Sequence, residues 1–186
     1  MVEDRIGYRY AKSIFDLAKE KSMLDDVHAD MAFIHEICVQ SPDFVRVLES
    51  PIISADKKNG VLNAVVGKHM NAEITRLLVK QIVRKGRERY LDNMAKAFVE
   101  LYDKENHISH ATLTSAAPLT DEQVAAIKKE LAEQTGDSID LDVRVDESLI
   151  GGFVLKIGDN LYDGSVASSL RKLRQEFGDR SFERKY

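Results

Sequence analysis

Apolar residues recur every three or four positions over residues 1–106, and that spacing gives way to alternation further along. The first predicted helix runs from about Arg5 to Lys21. Ile6, Tyr10, Ile14 and Leu17 mark one face, and Gly7, Ala11, Phe15 and Ala18 an adjoining one. The small residues Gly7, Ala11 and Ala18 would let another helix approach closely. The second helix carries the stripe Leu24, Val27, Met31, Ile34 and Cys38, with Ser22 and Asp25 as its cap. Ser41-Pro42-Asp43 starts a third, because Pro at the first helical position loses no hydrogen bond. It stops at Ser50-Pro51, where the residue before Pro disfavours helical ψ. Ser54 caps a fourth helix, with Val61, Leu62, Val65 and Val66, ending at Gly67. Asn71 caps a fifth, with Ile74, Leu77, Leu78 and Ile82 inward, Val79 and Val83 on a flank, and Gly86 as its stop. A sixth spans roughly Arg89 to Glu105 and buries Leu91, Met94, Phe98, Leu101 and Tyr102. Helices joined by such short connections predict a compact bundle.

The period changes after Asn106. His107 to Ser115 is poor in helix formers and reads as a strand. Thr120 with Gln123 is a capping box, opening a helix through Val124, Ile127 and Leu131 to the stop at Gly136. Ile139, Leu141, Val143 and Val145 then alternate with Asp140, Asp142, Arg144 and Asp146, which describes a strand with one wet face. Phe153 to Ile157 and Leu161-Tyr162 flank the turn formers Gly158, Asp159 and Asn160, giving a hairpin. Asp163, Gly164 and Ser165 end it and cap a helix with Val166, Leu170, Leu173 and Phe177 on one face. The predicted fold is mainly α with a small α+β part: an N-terminal six-helix bundle over 1–106 and a C-terminal α+β domain over 107–178. The charged stretch 179–186 has no apolar stripe and is expected to be a flexible tail.

Composition adds bounds. The chain has 186 residues, 44% hydrophobic and 31% charged, as an ordinary globular protein does. No apolar run approaches the roughly 20 residues that span a bilayer. The start, MVEDRIGYRY, has neither an apolar signal region nor transit-peptide character, so a bacterial cytoplasmic protein is expected. A net charge of −4 argues against a nucleic-acid binder. Cys38 is the single cysteine, which excludes an intramolecular disulfide.

Candidate chemistry is thin. Gly151, Gly152 and Gly158 fit neither the dinucleotide fingerprint nor a phosphate loop, so they read as turn geometry. Ser165 lies in no nucleophile elbow and has no His after it, so it reads as a helix cap. His28 and His35 are seven apart where a two-His metal site uses four, and they read as surface histidines. His107 and His110 open a strand with no third ligand. Asp140, Asp142, Asp146 and Glu147 lack the calcium-loop pattern and read as a solvated face or, secondarily, a polar docking face. The run Arg84, Lys85, Arg87, Arg89 suits a helix C-terminus, which favours cations. What is left is the two-faced apolar character of the first and fifth helices. On the residues alone, burial of the second face within the bundle is favoured over a groove for a partner.

Two stretches carry a resemblance. Leu149, Ile150, Gly151, Gly152, Ile157, Gly158, Asp159, Asp163, Gly164, Ser165, Leu170 and Leu173 resemble the C-terminal signature of the delta subunit of F-type ATP synthases, the family of the mitochondrial oligomycin-sensitivity-conferring protein. Tyr10 to Ala18, YAKSIFDLA, resembles the family's N-terminal pattern, with Ser13 keeping a small size and Ile14 standing for Leu. The resemblance implies a non-catalytic stator subunit, with no cofactor and no metal. Its six-helix bundle would take an amphipathic N-terminal helix of an alpha subunit of the catalytic head between the first and fifth helices. Carried onto this chain, that groove involves Tyr10, Ala11, Ile14, Phe15 and Ala18, with Leu77, Leu78 and Ile82 opposite. The C-terminal domain would meet the b subunits of the peripheral stalk, its signature Gly and Asp making the fold more than the contact. The complex would place the chain on the cytoplasmic side of a bacterial cell membrane, as a peripheral subunit. The alternatives are a free-standing helix-binding adaptor with no ATP synthase role and, last, an enzyme with a site built from dispersed carboxylates.

Overall fold

The computed structural model of the protein describes residues 2–67 and 69–180. It is mainly helical with a small four-stranded sheet. Contacts divide the chain into two units, one up to Asn106 and one from His107 onward. The expected flexible tail lies, from residue 181 on, outside the described residues.

The first unit contains α1 (Val2–Glu20), α2 (Leu24–Gln40), α3 (Pro42–Glu49), α4 (Ala55–Val65), α5 (Glu73–Arg84) and α6 (Leu91–Glu105). The helix expected from Arg89 begins instead as a 3-10 turn, Glu88–Tyr90, before α6. α1 packs closely on α6. A Cβ on Gly7 would lie 2.9 Å from the Asn93 carbonyl oxygen, so only glycine permits that approach. Phe15 and Phe98 meet across the same contact with ring centroids 5.7 Å apart. The core gathers Phe15 and Ala18 of α1, Met31 and Ile34 of α2, Leu62 of α4, Ile82 of α5 and Met94 and Phe98 of α6.

The predicted caps are met in part. Ser41 caps α3 by accepting from the Phe44 N–H. Ser54 occupies the N-cap of α4 without a side-chain bond, and Met23, following Ser22, occupies that of α2. Asn71 does not cap α5. Asp30, buried on α2, reaches across instead: its carboxylate accepts from the N–H of Asn71 at 2.8 Å and of Ala72 at 2.9 Å. A carboxylate facing a helix N-terminus satisfies orphan donors and complements the helix dipole. Local sequence around Asn71 carries no sign of this, because the acceptor lies on another helix.

The second unit orders its strands β2-β1-β3-β4, from β1 (Ile108–Ser115), β2 (Ser138–Val145), β3 (Phe153–Ile157) and β4 (Asn160–Asp163). β1 and β2 run parallel, so the chain crosses over through α7 (Asp121–Thr135). The Thr120–Gln123 capping box forms in full, and Gly136 ends α7 in the left-handed region. Ala111 pairs Leu141 and Leu113 pairs both Val143 and Leu155, which sets one apolar face against Leu131 of α7. β3 and β4 form the expected hairpin. The acidic residues of β2 are exposed: Arg144 pairs Asp142 at 2.8 Å and His110 pairs Asp140 at 3.1 Å. α8 (Val166–Arg180) follows. Its predicted apolar face, Val166, Leu170, Leu173 and Phe177, is 41–69% exposed instead of packed.

Candidate helix-binding groove

The groove grows out of two helical stripes. On α1, Tyr10, Ile14 and Leu17 succeed one another at three or four residue steps, with Ser13 beside them and Lys21 just past the helix end. On α5, Ile74, Leu77, Leu78 and Gln81 share one side of the helix, at i, i+3, i+4 and i+7. Together they line an open cavity of about 410 Å³ in which Lys21 is the single formal charge. Leu77 is 60% exposed and Leu17 37%, while Leu78 is buried and forms part of the floor. Contiguous apolar side chains left open to water along two neighbouring helices make this a candidate interaction surface.

Its walls are fixed from behind. Asp30 holds the start of α5, and the Arg76 guanidinium donates to the Met70 carbonyl at 2.6 Å. The Tyr10 hydroxyl accepts from Arg87. Of the eight residues expected at the site, Tyr10, Ile14, Leu77 and Leu78 line the groove. Ala11, Phe15, Ala18 and Ile82 are buried in the core and face away from it. The sequence assigned the two faces of the first helix correctly as apolar but could not say which one pointed inward. Ser13, Leu17, Lys21, Ile74 and Gln81 line the groove without having been singled out for it. For Leu17 the signal was the stripe it shares with Ile6, Tyr10 and Ile14, and for Ile74 it was its i, i+3, i+4 spacing with Leu77 and Leu78. The bundle covers the second face only in part: Ile6, Tyr10 and Ile14 pack half-buried against the core, and Leu17 is left exposed.

The other candidates resolve into structure. His28 and His35 are half-buried and not simple surface residues. His28 stacks on Tyr102 with centroids 3.8 Å apart, and burial pushes its pKa down. His35 Nδ1 lies 2.8 Å from an Asp92 carboxylate oxygen. Cys38 is buried, and that burial pushes its thiol up to about 12, which keeps it unreactive at neutral pH. No cluster of metal-ligating side chains occurs among the described residues.

The Gly-rich segment is turn geometry. Gly152 sits at φ +76°, where a Cβ would come within 2.3 Å of the Gly164 carbonyl oxygen. Asp163 accepts from the Ser165 N–H at 2.9 Å and the Ser168 hydroxyl at 2.5 Å, and these bonds hold its carboxyl down at about 2. Ser165 Oγ accepts from the Ser168 N–H at 3.2 Å, the expected cap of α8. Val166 N–H donates to Gly151 O at 2.9 Å, tying the helix start to the loop before the hairpin.

The fold is that of a helix-rich chain in two units with an apolar groove and no cluster of metal-ligating side chains among the described residues, which is the make-up of a non-catalytic subunit. Residues 6–177 match the family "ATP synthase delta (OSCP) subunit". The subunit delta of Cytophaga hutchinsonii is 36% identical over 95% of this chain and 96% of its own. That of Beijerinckia indica is 39% identical over 89% of this chain and 88% of its own. A chain in the mitochondrial ATP synthase hexamer of Toxoplasma gondii shares the fold at TM-score 0.70 and 25% identity, covering 92% of this chain and 96% of that one. The chain belongs to the ATP synthase delta (OSCP) family, and it is a non-catalytic, stator subunit of the F-type ATP synthase. As such it is associated with a membrane-bound complex, although no helix among the described residues is long and apolar enough to cross a membrane.

Proposed function

We propose that the first unit, as a six-helix bundle, receives the N-terminal helix of an alpha subunit in the α1/α5 groove, and that the second unit binds the b subunits of the peripheral stalk. The apolar groove supports this reading: Leu17 and Leu77 stand exposed on two neighbouring helices, beside half-buried Tyr10 and Ile14 and over buried Leu78. An amphipathic helix laying its own stripe there buries both apolar surfaces, at about 25 cal/mol per Å² removed from water. The exposed face of α8 supports stalk binding by the second unit. The mechanism is mechanical: the chain ties the head to the stalk on the cytoplasmic side of a bacterial membrane, and the head does not turn with the rotor.

Leu77→Asp tests it. The side chain is 60% exposed, so the fold tolerates the change. In a docked groove the carboxylate is desolvated without a partner. Membrane vesicles carrying the variant should lose coupled ATP synthesis, while the isolated head hydrolyses ATP as before. Undiminished synthesis would refute the groove.

A further inference from the structure

Beyond the Tyr10–Gln81 end of the groove lies a polar neighbour. α1 and α5 pass each other so that residues before Tyr10 and residues after Gln81 come together, at a second cavity of about 550 Å³. Arg9 and Ile6 of α1 line it, as do Lys85, Arg87 and Arg89 in the connection after α5. Lys58 lies at its base. Against these five cations stand the carboxylates of Glu49 and Glu88, and Lys58 Nζ already engages Glu88 at 2.6 Å. Arg9 and Lys85 are exposed and form no ion pair among the described residues. On a chain of net charge −4, this is a local positive surplus. Tyr10 links the two sites: it lines the groove, and its hydroxyl accepts from Arg87, which lines the basic cavity.

We propose that the basic cavity is an electrostatic extension of the groove, reading carboxylates on the segment of the partner helix that overruns the Tyr10–Gln81 end. This rests on the groove being a helix-binding site. The occupant is an amphipathic helix whose apolar stripe continues into one or more Asp or Glu residues. Ion pairs at an accessible rim are individually weak, yet they fix register and direction and raise the rate of encounter. An apolar groove alone accepts a helix in either direction and at several registers. A charged end removes that ambiguity, and a subunit that transmits torque needs a defined register.

The test is calorimetric titration of the full chain with two synthetic amphipathic helices of one sequence, one ending in Glu-Glu-Glu at the overrunning end and one in Gln-Gln-Gln. Both should bind. The acidic peptide should bind about tenfold tighter at low salt, with the difference shrinking as ionic strength rises. In the Arg9→Gln/Lys85→Gln variant the advantage should disappear while the Gln peptide binds as before. Equal binding of both peptides to the unmodified chain would overturn the basic extension and leave the groove standing. Failure of both peptides to bind would overturn the groove and the extension with it.

Discussion

Removing the Asp30 carboxylate should loosen one wall of the groove from a distance. Asp30 is 1% exposed and accepts two backbone N–H groups at the start of α5. Hydrogen bonds to a charged group contribute about 1.5–3 kcal/mol each. In Asp30→Ala, the exposed Asn71 recovers water, but the Ala72 N–H is left buried without an acceptor. Losing the buried charge offsets part of this, because its desolvation no longer opposes folding. The net expectation is a loss of about 3 kcal/mol, a large share of a typical stability of about 5–15 kcal/mol. Asp30→Asn keeps one acceptor oxygen and should lose about half as much. Urea unfolding measures both. Amide hydrogen exchange gives the sharper view: protection at Ile74 to Leu78 should fall before that of the α2 amides. If Asp30→Ala unfolds within about 0.5 kcal/mol of the unmodified chain, or if exchange quickens evenly over the first unit, the bridging role is wrong.

Other perturbations have defined outcomes. Lys58→Met strands the buried Glu88 carboxylate, which has one further oxygen without a hydrogen-bond partner among the described residues. It should destabilise by about 3–5 kcal/mol in denaturant unfolding, with most recovered in Lys58→Met/Glu88→Leu. Gly152→Ala forces a Cβ into the Gly164 carbonyl at a positive φ and should lose about 3 kcal/mol, seen as faster amide exchange over β3 and α8. The Asp163 carboxyl is held down to about 2 by Ser168 and Ser165, so its contribution is fully present above the unfolded value near 3.8 and is lost as pH falls from there towards 2. Asp163→Asn should flatten that part of the acid-unfolding curve. His28 is kept neutral by burial, so the unfolded chain takes up its proton first as pH drops below about 6.5. Stability should therefore decline over that fall, and His28→Phe should remove the decline in thermal melts across pH.

Much of the architecture was legible because its signals are local. The Thr120–Gln123 capping box, the Ser41-Pro42 start, the hairpin at Gly158 and the alternation of β2 all act within a few residues. What escaped depends on contacts distant in sequence. Asp30 serves a helix start more than forty positions away, at Asn71 and Ala72. The two apolar faces of α1 look alike in sequence, and only the packing of Phe15 on Phe98 decides that Ala11, Phe15 and Ala18 turn inward. That choice leaves Tyr10, Ile14 and Leu17 for the groove. On α8 periodicity correctly gave a helix with an apolar face, but periodicity cannot say whether the protein's own core covers that face.

The proposed role of the α1/α5 groove is to hold the head. Calorimetric titration of the full chain with a synthetic N-terminal segment of the same organism's alpha subunit, repeated with Leu77→Asp, tests that role. Saturable one-to-one binding that weakens about a hundredfold in the variant is the expected result, since an unpartnered carboxylate in a closed interface costs about 3 kcal/mol. Binding of equal strength to both proteins would contradict it.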